Sequence, residues 1–315
     1  MSDRTAAGFV KFRPVRPGAR IALVAPASPF ERTQFDAGVA ELRRLGFDAV
    51  YDESVFDRQP LTAGSAATRA RALMAAFERP DADAVMAVRG GYGSVETLPL
   101  LDADRIRRSR RAFIGYSDLT TVHAYLGGVA GLASVHGSML EGRFGQGPEH
   151  YDAASFLGSV SEQPLGELRP DGLEVLKPGE ATGPVVGGTL TQLLASLETP
   201  YAFRPPDGHV LFLEDVGERP YRVHRMLTQW RLSGRFASTA ALIFGQFPKC
   251  EEPGGGVTVL DVIRECTTGF SGPVLFRFPS GHTTTPTVSI PFGVRTRVVA
   301  HASPAVVFEE AAAAS

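Results

Sequence analysis

Between residues 20 and 135, short apolar runs alternate with segments of helical spacing. Ile21 to Pro26 is a buried strand ended by proline. Residues 31–45 carry Phe35, Val39, Leu42 and Leu45 on one helical face, and Gly46 stops them. Phe47 to Tyr51 reads as a second strand and Ala66 to Phe77 as a helix ended by Pro80. Asp83 to Val88 is a third strand that runs into Arg89-Gly90-Gly91-Tyr92-Gly93. Arg111 to Gly115 is a fourth, and Leu132 to Val135 a fifth. Such alternation predicts a parallel sheet with helices on both faces. Ligands of these sheets gather at the carboxyl ends of the strands, where both the Gly90-Gly91 turn and Ser117 fall.

From residue 143 glycine, proline and charge rise and the periodicity fades, so a linker is expected at 151–182. It separates a domain at 1–150 from a second at 183–315. The second opens on Gly183 to Gly188, and Thr189 stands at a cap position before Leu190, Leu193, Leu194 and Leu197. Val210 to Leu213 is a strand closed by Glu214-Asp215. Arg219 to Leu232 is an amphipathic helix, Ala240 to Phe244 a strand and Val257 to Cys266 a helix. Leu275 to Gly293 is turn-rich, Val294 to Ala300 is a closing strand, and Ala311 to Ser315 is expected to fray.

With 315 residues and 43% apolar content the chain can fill an ordinary core. Its 32 basic and 34 acidic residues give a net charge of −2, which offers no nucleic-acid face. The basic run Arg105 to Arg111 reads as a solvated helix end. Cys250 and Cys266 lack metal spacing. The polar start Met1 to Thr5 has no apolar signal segment, and no run approaches a membrane span, so a soluble cytoplasmic protein is expected.

The segment Phe113-Ile114-Gly115-Tyr116-Ser117-Asp118-Leu119 places a serine on a tight strand-to-helix turn. Ser117 reads either as a helix N-cap or as a nucleophile with the Asp118 amide as oxyanion donor. The second glycine of G-x-S-x-G is absent, because Leu119 stands there. The Gly90-Gly91 turn is either a plain β–α turn or a second oxyanion donor. Of seven histidines, His282 is the best candidate base, because Ser280, Gly281 and Thr283 to Thr285 place it in a polar loop. Glu214 and Asp215 compete to orient it. Strand alternation sends them to opposite faces, so one of the two reaches it.

In their order and spacing these pieces resemble the LD-carboxypeptidase family of serine peptidases that trim muropeptides. The resemblance spans nearly the whole chain. It runs from Ile21–Pro29 through Arg89-Gly90-Gly91-Tyr92-Gly93 and Gly115-Tyr116-Ser117-Asp118 to His136-Gly137 and Gly187-Gly188. It continues with Leu213-Glu214-Asp215, Glu218 to Tyr221, Gly245-Gln246-Phe247 and Gly281-His282. The resemblance implies Ser117 as nucleophile, Glu214 as triad acid, His282 as base, and the amides of Gly91 and Asp118 as oxyanion hole. Arg89, Gly90 and Tyr92 would touch substrate. It also implies a flavodoxin- or Rossmann-like N-terminal domain, a smaller β-rich α+β C-terminal domain, a homodimer, a muropeptide substrate, and no metal or cofactor.

His224, Pro286 and Glu198 depart from the family pattern, at positions where an acid, asparagine and glycine are common. A microcin-immunity-like peptidase acting on a peptide–nucleotide conjugate is the nearest alternative. An α/β-hydrolase-type esterase shares the chain order of the triad. A two-domain anion-binding protein needs no reactive serine.

Overall fold

The computed structural model describes residues 8–315, so the reading of Met1 to Thr5 lies outside the described residues. Among the described residues there are fourteen strands, β1 to β14, and eight α-helices, α1 to α8, in chain order. The first half runs β1 (Arg20–Val24), α1 (Arg32–Arg44), β2 (Asp48–Val50), α2 (Ala66–Glu78), β3 (Ala84–Ala87), α3 (Ala103–Ser109), β4 (Ala112–Gly115), α4 (Thr120–Tyr125) and β5 (Ser134–His136). The remainder comprises α5 (Ala153–Ser159), β6 (Gly166–Leu168), β7 (Glu174–Lys177), β8 (Gly179–Thr189), α6 (Leu190–Ala195), β9 (His209–Glu214), α7 (Pro220–Leu232) and β10 (Thr239–Phe244). It closes with α8 (Val259–Cys266), β11 (Val274–Phe276), β12 (Ile290–Phe292), β13 (Arg295–Ala300) and β14 (Ala305–Phe308).

The first sheet has the order β12-β5-β4-β3-β1-β2, and its first-half strands are all parallel. Alternation along each strand divides its side chains between two buried layers. Ile21, Leu23, Met86 and Ile114 join a core with Phe35 and Leu42 of α1. Ala22, Val24, Val85 and Phe113 face Leu73 and Phe77 of α2, Ile106 of α3 and Val122 of α4. Helices therefore cover both faces, as the spacing predicts.

The second sheet is wider, with eight strands in the order β6-β14-β13-β8-β9-β10-β11-β7. β8, β9, β10 and β11 are parallel, and antiparallel strands flank them. Val210, Phe212 and Ile243 enter the same buried cluster as Ile21 and Met86, so the two sheets share one core. Leu211, Leu213, Leu242 and Phe244 face Val223 and Leu227 of α7 and Ile263 of α8.

Three expectations are corrected. Residues 151–182 are not a plain linker: they hold α5, β6, β7 and the start of β8. Their strands are half-buried and short, so they show no clean period of two. The turn-rich stretch after Leu275 contains β12, which pairs antiparallel with β5 of the first sheet. Pro291 is tolerated there because β12 is an edge strand. The alanine tail is docked rather than frayed, with Ala312 and Ala313 only 1% and 3% exposed. Its backbone pairs with Phe12, and Arg110 donates to the Ala314 carbonyl.

Candidate active site

Ser117 follows β4 with a φ of 65°, a left-handed conformation that costs an L-residue about 1–2 kcal/mol. It opens a single 3₁₀ turn, Ser117–Leu119, before α4 begins. Tyr116 occupies the cap position and no side chain caps the turn, so the N-cap reading of Ser117 does not hold. The strained backbone instead presents the hydroxyl on a sharp elbow, the geometry associated with a nucleophile.

Gly90 and Gly91 lie beside it, past the end of β3. A Cβ on Gly90 would stand 2.9 Å from Ser117 Cβ and 3.2 Å from its Oγ, so glycine permits this approach. Gly91 has φ 98°. The Asp118 carboxylate turns away and accepts from the Ser94 amide at 2.8 Å, while the Ser94 hydroxyl donates to the Asp118 carbonyl at 2.7 Å. Among the described residues, neither the Gly91 nor the Asp118 amide donates to a protein acceptor. Arg89 is occupied elsewhere, paired with Glu141 at 3.1 Å and donating to the Pro29 carbonyl at 3.0 Å. Tyr92 is 50% exposed at the surface of the same turn.

Glu214 ends β9 in the second sheet and is fully buried. His282 Nδ1 lies 2.7 Å from its Oε2, and the His282 amide donates to that oxygen at 2.8 Å. The other oxygen accepts from the Thr189 hydroxyl, since Thr189 is the register partner of Glu214 across β8 and β9. Glu214, not Asp215, therefore meets the histidine. Asp215 faces α6, where it accepts from the Thr191 amide and hydroxyl at 2.9 and 2.7 Å.

Burial alone would raise the Glu214 carboxyl. The His282 imidazole, aided by His136 and the Thr189 hydroxyl, holds it well below the usual carboxylate range. Burial in turn pulls His282 down, and Glu214 more than offsets this and raises it above its ordinary value. Asp215 is pushed up to about 6 by burial, against the pull of its Thr191 bonds.

The other histidines are accounted for differently. His123 is buried with both ring nitrogens engaged, by Ser134 and the Gly115 carbonyl, and burial lowers it to about 4. His209 is similarly held by the Pro206 carbonyl and Thr239, and burial lowers it to about 4. His136 contacts Ser280 at 3.2 Å, and burial lowers it to about 3. His150 and His224 sit beside Glu149 and Glu265 outside this site, and His301 is exposed. His282 is the histidine that combines a buried carboxylate with a 20% exposed side chain.

Two contacts connect the Glu214–His282 pair to the serine turn. The Tyr116 ring meets the His282 ring edge-on at 5.2 Å. The Thr189 hydroxyl lies 3.4 Å from the Ser117 carbonyl, and the Thr189 amide donates to Thr120 at 3.0 Å. Among the described residues no hydrogen bond joins the Ser117 hydroxyl to His282. Such bonds commonly tighten only when substrate is bound. Thr189 stands at the expected cap position but makes no cap bond, since its hydroxyl serves Glu214. Its place beside a buried acid depends on strand pairing, which no local pattern reveals.

Arg143 was hidden by the fading periodicity after β5. It is buried, donates to the Gly281 carbonyl at 2.9 Å and to the Tyr116 hydroxyl at 3.3 Å, and so spans both sides of the site. None of the three departures contacts Ser117, Glu214 or His282 through a hydrogen bond or ion pair among the described residues. Glu198 and Pro286 are exposed, and His224 is on α7.

The chain is similar to known proteins over most of its length. Residues 21–137 match the LD-carboxypeptidase N-terminal domain, and residues 182–298 the LD-carboxypeptidase C-terminal domain. The murein tetrapeptide carboxypeptidase of Pseudomonas aeruginosa is 32% identical over 276 residues, covering 84% of this chain and 88% of that protein. The crystal structure of muramoyltetrapeptide carboxypeptidase from Oxalobacter formigenes superposes with a TM-score of 0.80 at 27% identity, over 91% of this chain and 97% of that one. The structure of MccF in complex with glutamyl sulfamoyl guanosine superposes with a TM-score of 0.88 at 25% identity, over 95% and 98% of the two chains. The two domain matches, in order and over both halves of the site, place this chain in the LD-carboxypeptidase family.

Proposed function

We propose that this peptidase is a serine LD-carboxypeptidase that releases a terminal D-alanine from murein tetrapeptides. The observation that carries the reading is the buried Glu214–His282 pair standing against the strained Ser117 elbow. Neutral His282 takes the hydroxyl proton as Ser117 Oγ attacks the carbonyl carbon of the L,D bond. Glu214 fixes the proton on Nδ1, so that Nε2 is the base, and it stabilises the imidazolium that forms. The amides of Gly91 and Asp118 receive the oxyanion, each contributing about 3–4 kcal/mol in comparable sites. The imidazolium returns its proton to the departing amine of D-alanine, leaving an acyl-enzyme. Water, deprotonated by His282, then hydrolyses the ester and frees the shortened peptide.

The 32% identity to the Pseudomonas enzyme supports a murein tetrapeptide as substrate. The higher structural likeness to MccF favours a second reading, in which the same triad cleaves an aminoacyl–nucleotide conjugate. Incubation with a defined tetrapeptide and mass spectrometry separates the two. Loss of one D-alanine by the wild type, abolished in Ser117→Ala, is expected. Retention of most of the rate by Ser117→Ala refutes the mechanism, and turnover of only the nucleotide conjugate refutes the substrate.

A further inference from the structure

The turn that offers the Gly91 amide is held in place by a side chain outside the triad. Ser28 lies in the loop after β1, and its own amide donates to the Gly90 carbonyl at 3.1 Å. Its hydroxyl accepts from the Tyr92 amide at 3.0 Å and donates to the Leu61 carbonyl at 2.9 Å. A Cβ on Gly91 would fall 2.5 Å from Ser28 Oγ and 2.6 Å from Ser28 Cβ, so the two residues are packed face to face. One step earlier, the Cβ direction of Gly90 points instead at Ser117. The turn is thus clamped between Ser28 and the nucleophile.

Peptide geometry makes this clamp directional. The described chain has no cis peptide bond, so the Gly90 carbonyl and the Gly91 N–H point opposite ways in one plane. Because the carbonyl is bonded toward Ser28, the Gly91 N–H is aimed away from it. Glycine at this point has little intrinsic preference to hold such a plane. Ser28 supplies the restraint from both ends of the turn, through its amide at Gly90 and its hydroxyl at Tyr92. The single proton of that hydroxyl is already given to Leu61, so it has none to offer a substrate.

We propose that Ser28 is the positioning residue of the oxyanion hole, orienting the Gly91 amide toward the developing negative charge without itself touching substrate. This rests on the serine-peptidase reading above. It predicts a loss confined to the transition state, because an amide that swings off line still allows the ground-state peptide to bind.

The test compares wild type, Ser28→Ala and Ser28→Cys in D-alanine release from a defined tetrapeptide. It adds inhibition by a peptidyl boronic acid, whose Ser117 adduct places an oxygen where the oxyanion forms. Ser28→Ala is expected to lower kcat about tenfold and weaken the boronate by a similar factor, with KM within twofold and an unchanged melting temperature. Ser28→Cys keeps the space filled with a poorer hydrogen-bonding group and carries the same expectation, so the test survives if the alanine variant does not fold. Unchanged kcat in both variants overturns the proposal. So does a fall in kcat with full boronate affinity, or a fall matched by KM and melting temperature. An inactive wild type refutes the peptidase reading, and this proposal falls with it; an active wild type matched by Ser28→Ala refutes the Ser28 role alone.

Discussion

Replacing Glu214 with glutamine changes one charge at nearly constant shape. The carboxylate oxygen Oε2 accepts both the His282 amide and Nδ1–H, at 2.8 and 2.7 Å. A glutamine carbonyl can take both bonds, and its amide would then face the Thr189 hydroxyl, which can accept. Hydrogen bonding is therefore largely preserved while the ionic attraction to the imidazolium is lost. At this separation and an effective dielectric near 20, that attraction is about 6 kcal/mol before reorganisation. A net transition-state loss of about 3–5 kcal/mol corresponds to a kcat about 10²–10⁴ lower.

The pH profile separates this mechanism from simple misfolding. On the proposed mechanism His282 acts in its neutral form; burial pulls it down, Glu214 more than offsets this, and Asp215 adds to the rise while Arg143 opposes it. The acid limb of kcat/KM for the wild type is thus expected above about pH 6.5, and in Glu214→Gln it moves down. Stability follows the opposite sign. The raised imidazole stabilises the fold below its unfolded value, and that contribution is lost as pH rises through the folded value. The depressed Glu214 contributes above its unfolded value, and this is lost as pH falls through the folded value. The assay is D-alanine release between pH 5 and 9, beside thermal melting. A variant with kcat within threefold of wild type, or an unmoved acid limb, refutes the assigned role of Glu214.

Three further outcomes are expected. Thr189→Val removes the donor to the buried Glu214 oxygen and should cost about 1–3 kcal/mol by denaturant titration, with lower kcat. Gly281→Ala should abolish activity, because its φ is 79° and the new Cβ would lie 2.7 Å from Glu214 Cδ; D-alanine release near the wild-type rate would contradict this. Glu198 is exposed with φ 62°, so Glu198→Gly relieves left-handed strain and, after the entropy cost of glycine, should add about 0.5–1 kcal/mol in thermal melting.

The alternating first sheet was legible because β1, β3 and β4 are buried on both faces and α1 and α2 on one, so apolar spacing marks both. The candidate site was marked in the sequence by glycine and polar residues that interrupt such runs, at Gly90-Gly91, Ser117, Glu214 and His282. Less legible were the elements whose order depends on distant pairing. β6 and β7 are short and half-buried, β12 contains a proline permitted by its edge position, and the alanine tail is ordered by Phe12. The contact of Thr189 with Glu214, and Arg143 altogether, escaped notice for the same reason. Each side chain acts through a contact more than twenty residues away, with Glu214 in one case and with Tyr116 and Gly281 in the other.

The strand excursion near the end of the chain bears on how this molecule can move. The segment with His282 leaves β11 in one sheet and reaches β12 in the other. Its two flanking strands thus belong to different sheets. On the proposed mechanism, a hinge that parted those sheets would separate the Glu214–His282 pair from the serine turn. Severing the polypeptide between β11 and β12 should, on the same mechanism, silence turnover even if both fragments stayed associated.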